Sequence, residues 1–367
     1  MSITFENINT EWFNQEALRL PSYKVGRVNF GKGRSYIRLN QDGELVENPM
    51  RLYTSLTTAI STCAPMEDGL LDWFIKHGKQ EANRLTTISQ HYGTLMHLEI
   101  GKFLINGNYN LDEVETVVED YLSENSFYEK ECREWASKLR YDLVAFAQFY
   151  YDYNIKPLGI EYVLLSDKGF GTLIDLVCKM TVKVDGLDYD NPYKSGPRKG
   201  QPRESKVDKE ILAIVNFKSG RKGFYKNNGI QAIAEKMLWE ENFSDMKLEG
   251  AYNWAPKDWR TDPGYNLKDW TDAVTEEEVN AVLKLAELRY ASKAENKTYI
   301  SISGQLSIAD KSTEGVLSRE TIDEFASRKY GRTPTPAGRT TKTKLRLVKD
   351  SKQNVKPAEY KPAPLPI

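Results

Sequence analysis

An aspartate and a lysine sit inside two neighbouring apolar runs, where a charge is costly to bury. Gly171-Thr-Leu-Ile-Asp175-Leu-Val-Cys-Lys179 and Ile211-Leu-Ala-Ile-Val-Asn216-Phe-Lys218-Ser-Gly220 are short, β-branched and closed by glycine or polar residues. Both therefore predict buried strands. A carboxylate and an ammonium in such runs are tolerated when they hold a metal or a reacting group. The pairing predicts a metal-dependent site that cleaves phosphodiesters. There Lys218, as a compact point charge, would orient the attacking water and offset charge developing on phosphorus. The plain alternatives are an aspartate capping a turn and a surface lysine. The apolar flank of Asp175 and the Ser219-Gly220 stop beside Lys218 argue against them.

Other residues extend the pattern. Asp175, the 216–218 position and a helix opening with Gln231 together resemble the PD-(D/E)xK nuclease superfamily. Tyr92-Gly-Thr-Leu-Met-His97 resembles the Gly-Thr-x-x-His helix of its RecB-like branch, and Glu161 falls where that branch often has a glutamate. Leu56-Thr-Thr-Ala-Ile-Ser followed by Leu70-Leu-Asp-Trp73 resembles the lead-in of phage and mitochondrial exonuclease members. The likeness runs over residues 50 to 256. It implies a restriction-endonuclease-like α/β fold, with a mixed central sheet flanked by helices, and Mg2+ or Mn2+ as the cofactor. By the same resemblance, His97, Asp175, position 216 and the backbone carbonyl of Phe217 would hold the metal. Glu161 would be a second carboxylate ligand or would pair with Lys218, and Gln231 would contact the phosphate or the attacking water. The implied activity is a DNA nuclease, an exonuclease processing single-stranded or end-containing DNA in replication, recombination or repair.

The chain departs from this pattern twice. Position 216 is Asn where a carboxylate is expected, and Glu235 stands where a tyrosine usually follows Gln231. An amide offers one neutral oxygen in place of two charged ones, and hard divalent cations prefer the latter. The expectation is weakened metal binding and an inactivated or weakly active enzyme, restored by Asn216→Asp. A catalytically silent nucleic-acid-binding relative and a partner-recruiting scaffold are the alternatives. The loop Arg221-Lys222-Gly-Phe-Tyr225-Lys226 interleaves cations with aromatics, which suits phosphate contact and base stacking on single strands.

Charge is divided unevenly. Residues 331–367 carry nine Lys/Arg against Asp350 and Glu359, a net of +7, so the remaining 330 residues carry −8. That tail also holds six of the fifteen prolines and is expected to be disordered, serving as a solvated terminus, a DNA tether or a docking segment for a replication or recombination protein. Three scattered cysteines, Cys63, Cys132 and Cys178, argue against a disulfide framework, a zinc site and the iron–sulfur cluster of some RecB-like nucleases. With no apolar run long enough to span a membrane and no leader-like start, a cytoplasmic location is expected, the host cytoplasm if phage-encoded.

These residues need a scaffold. The sequence divides into an N-terminal segment over 1–53, a nuclease domain over 54–330 and the tail. Within the domain, 54–154 has helical periodicity, 155–260 forms the catalytic sheet, and helices fill 270–330. Two strands over 158–183 flank the turn Ser166–Gly169, and 185–209 is a Gly-, Pro- and charge-rich loop. Helices are expected at 229–243, at 319–329 and from the capping box Thr275-Glu-Glu-Glu278 to about Ser292.

Overall fold

The runs carrying Asp175 and Lys218 become adjacent antiparallel strands, in register from Leu176↔Val215 outward. The computed structural model describes residues 6–30, 33–46, 51–220 and 223–296. The helix expected at 319–329, the basic tail, Arg221 and Lys222 lie outside the described residues.

In chain order the elements begin with β1 (Glu6–Ile8), β2 (Trp12–Phe13), β3 (Lys24–Phe30), β4 (Gly33–Leu39) and β5 (Tyr53–Ser55). Four helices follow: α1 (Leu56–Cys63), α2 (Asp68–Asn106), α3 (Val114–Glu124) and α4 (Trp135–Asp152). The central strands β6 (Lys156–Ser166), β7 (Phe170–Asp188) and β8 (Arg203–Phe217) come next. Last are α5 (Lys226–Asn242), β9 (Gly250–Pro256), β10 (Tyr265–Asp269) and α6 (Glu276–Asn296). The protein is mixed α/β, with a ten-stranded mixed sheet. The N-terminal strands β1, β3 and β4 continue this same sheet through β5 to β7.

Helices cover the sheet on two faces because strand side chains alternate. Leu176, Cys178, Val215, Phe217 and Trp254 pack with α2 and α4, through residues such as Met96, Ile100, Phe146 and Phe149. Val177, Ile214 and Ala251 face the other way, into α1, α5 and α6. Full burial of one such Leu or Phe contributes about 1.5–3 kcal/mol, so the layers hold the strands rigidly.

Local signals explain the helix ends. Gly107, at φ 70°, closes α2 in the left-handed conformation glycine adopts readily. Thr275 and Glu278 exchange side-chain-to-backbone hydrogen bonds, each 3.2 Å, at the start of α6. Gly78, also at φ 70°, interrupts α2 and leaves Asp68–His77 as a separate helical segment.

Two expectations need correction. The segment 185–209 is not a loop: β7 runs on to Asp188 and β8 begins at Arg203, so only 189–202 turns. Helical periodicity around 127–134 gives a 3-10 turn at Lys130–Glu134, with α4 beginning at Trp135. Among the described residues, no helix is long and apolar enough to cross a membrane.

Candidate metal centre

Asp175 lies where β7 changes partners. Its upper stretch pairs with β8 from Leu176 outward, and its lower end pairs in parallel with β5 at Phe170 and Gly171. Residues 172–175 therefore face a gap in one ladder. Alternation also breaks here. Ile160 and Leu176 face the α2–α4 core, whereas Tyr162 and Ile174 face the α5 core. In a regular strand each pair two apart would share a face. The reversal sits at Glu161, whose φ of 49° is a left-handed value rare for a non-glycine residue. Backbone held there costs on the order of 1–3 kcal/mol and concentrates at functional sites.

The result is a cluster. One ligand atom each from His97, Glu161 and Asp175 lies within 4.8 Å of the other two. His97 Nδ1 is 3.5 Å from Asp175 Oδ1 and 3.8 Å from Glu161 Oε1. The other ring nitrogen, Nε2, is 3.2 Å from the Phe217 carbonyl oxygen. Phe217 N–H in turn donates to Asp175 Oδ2 at 2.6 Å, which ties the carboxylate to the end of β8. The three side chains retain 12–30% exposure, so the cluster opens to solvent. At Gly93 α2 passes beside Ser219, where a Cβ would lie in ordinary contact, 3.4 Å from the Oγ.

The electrostatics are those of crowded carboxylates. Burial lowers the His97 pKa, but Asp175 and Glu161 outweigh it and raise the imidazole above its ordinary value. Glu161 is raised too, by burial first and by Asp175, against the opposing pull of His97. A cation would relieve both effects.

Lys218 and Gln231 meet as a pair, Nζ donating to Oε1 at 3.3 Å. Behind them lies Glu235, fully buried and one helical turn beyond Gln231. Its Oε1 accepts from Gln231 Nε2 at 2.8 Å and Thr172 Oγ1 at 2.9 Å, and its Oε2 from Asn216 Nδ2 at 2.6 Å. Burial, with a smaller push from Asp175, raises its pKa to about 7 against the Gln231 and Asn216 hydrogen bonds and Lys218. The two departures from the nuclease pattern thus touch each other. Asn216 is fully buried, and its Oδ1 has no hydrogen-bond partner among the described residues.

Of the loop residues, Tyr225 is half exposed, whereas Lys226 is paired with Glu278 at 2.5 Å. His91 packs on Phe127 and contacts the Tyr121 hydroxyl, and His77 lies against Trp73. Sequence reasoning marked Glu235 only as a departure from the pattern, without a role at the site, and passed over Thr172. The i, i+4 spacing of Gln231 and Glu235 was the available signal. Protein-family models and curated proteins give no match to this chain.

Proposed function

We propose that this chain is a Mg2+- or Mn2+-dependent DNA nuclease of restriction-endonuclease-like fold, acting on DNA ends. The observation that carries the reading is the convergence of His97, Glu161 and Asp175, with the far ring nitrogen of His97 on the carbonyl of Phe217, the residue immediately before Lys218. One imidazole and two carboxylates form a donor set that fits a divalent cation such as Mn2+. A cation bound there would neutralise phosphate charge and acidify a water.

The chain's own residues do the rest. Lys218 Nζ, anchored by Gln231 Oε1, holds a positive charge beside the cluster to steady the attacking water and offset charge on the phosphate oxygens. Glu235 accepts the Gln231 amide hydrogen, so Gln231 presents its oxygen, not its nitrogen, to the lysine. Asn216 supplies a donor that the buried Glu235 needs. This supports a site that works with an amide at 216. The catalytically silent alternative has one observation in its favour, the unpartnered Asn216 Oδ1.

The test is cleavage of linear and covalently closed DNA, single- and double-stranded, with Mn2+, Mg2+ or EDTA. The expected result is metal-dependent loss of linear substrate, with closed circles spared. Folded protein that degrades none of these substrates in either metal would overturn the proposal.

A further inference from the structure

The partners of β7 and β8 run out before the strands do. Pairing of β6 with β7 ends at Lys179, and pairing of β8 with β9 begins at Ala213. From Lys183↔Asp208 to Asp188↔Arg203 the two strands pair only with each other. At about 3.4 Å per residue this is a ribbon of roughly 20 Å beyond the sheet. No residue from 183 to 210 is buried. A lone two-stranded ribbon is marginal in water and contributes little to the core.

Its charges are sorted along its length. On the shaft they cancel: Lys183 pairs with Asp208 and Lys206 with Asp185, each at 2.8 Å. At the tip they do not. Residues 189–204 contain Lys194, Arg198, Lys199 and Arg203 against Asp190 and Glu204, a net of +2. Arg198 pairs with Glu204 at 3.5 Å and Arg203 stands opposite Asp188, which leaves Lys194 and Lys199 without an ion pair among the described residues. The tip is also ordered. Tyr193 N–H donates to Gln201 O, and Gly200 N–H donates back to Tyr193 O. The guanidiniums of Arg198 and Arg203 lie 5.9 and 5.5 Å from the Tyr193 ring centre. Tyr189 stands 73% exposed at the base of the tip.

We propose that this ribbon is a second nucleic-acid contact, its cationic tip gripping the phosphates of a duplex away from the metal cluster. Charge complementarity selects the partner: a local basic tip on a chain of net charge −1 attracts a polyanion without general attraction. Shape agrees, since the major groove admits a two-stranded β-ribbon. Contacts through lysine and arginine to phosphate position a duplex and do not read its sequence.

The inference goes beyond the metal centre and is tested without it. Binding of a 30-base-pair duplex is measured by anisotropy in EDTA over a series of salt concentrations. The full chain is compared with Lys194→Ser/Arg198→Ser/Lys199→Ser and with a variant in which Asn-Gly replaces 189–202. Circular dichroism and melting temperature are expected to be unchanged, because no altered side chain is buried. The triple variant is expected to bind more weakly at every duplex sequence, with a salt slope shallower by up to ~2.7, about 0.9 per lost contact. The variant lacking 189–202 loses the same three cations and is expected to show the same weakening and the same shallower slope. Equal affinity and slope in all three proteins overturns the proposal. So does a change in sedimentation with unchanged DNA binding, which would assign the tip to self-association. If cleavage fails while the tip variants still weaken binding, the ribbon stands and the nuclease reading falls.

Discussion

Asn216→Asp separates two accounts of the site. If the amide marks a vacated metal ligand, restoring the carboxylate raises Mn2+-dependent cleavage by ~100-fold or more, the scale of one electrostatic contribution to catalysis. The geometry leads elsewhere. Asn216 Nδ2 lies 2.6 Å from Glu235 Oε2, and both residues are fully buried. The substitution removes a hydrogen bond to a charged group, a loss of about 1.5–3 kcal/mol. Two ionised carboxylates at that separation would repel by roughly 6 kcal/mol at an effective dielectric of ~20. Taking up a proton is cheaper, because Glu235 already titrates at about 7. The folded variant therefore keeps one proton that the unfolded chain releases. Above pH 7 its stability falls behind the parent by about 1.4 kcal/mol per pH unit, until the pair loses that proton. Urea unfolding at pH 6, 7, 8 and 9, run beside cleavage assays, reads both quantities. The expected outcome is a stability deficit that widens from pH 7 to 9 and no large gain in cleavage. A hundredfold gain with a pH-independent deficit would refute this reasoning.

Three further outcomes follow from particular contacts. Glu235 has its pKa raised from 4.5 to about 7, so its contribution is fully present below pH 4.5 and is lost as pH rises through 7. Relative to Glu235→Gln the parent should lose about 3 kcal/mol across that window by urea unfolding, and an unchanged difference would show that burial does not govern this carboxyl. His97→Ala and Asp175→Ala should each weaken Mn2+ binding by at least ~10-fold in calorimetry while the melting temperature moves little; wild-type binding in either removes that residue from the ligand set. Gly229→Ala would bring a Cβ within 2.4 Å of the Trp270 ring, whose Nε1 is held by Asn253 Oδ1 at 2.7 Å, so α5 must shift. A loss of about 1–3 kcal/mol by chemical denaturation is expected, and the stabilisation that alanine normally brings to a helix would contradict it.

What the sequence discloses here depends on whether a signal is local. The β-branched runs around Asp175 and Asn216 are continuous enough to mark buried strands, and Thr275 with Glu278 marks a helix start by spacing alone. The ribbon is hidden because it faces water on both sides, so its residues lack an apolar period and resemble a loop. The role of Glu235 is hidden for the opposite reason. In the sequence it stands out only as a carboxylate in a tyrosine's place, and its importance exists only once Asn216 and Thr172 arrive from two other strands. The positive φ of Glu161 has no sequence marker either, since left-handed backbone is usually announced by glycine or asparagine.

That backbone at Glu161 sets folding and function against each other. Glycine at 161 would adopt the same φ without a Cβ penalty, and the chain would be relieved of a conformational burden while losing one of three converging donor atoms. Selection for heat resistance alone would therefore drift toward the better-folded, metal-poor variant. A library screened first for thermostability would enrich such molecules, and only a second screen for cation binding would recover the glutamate.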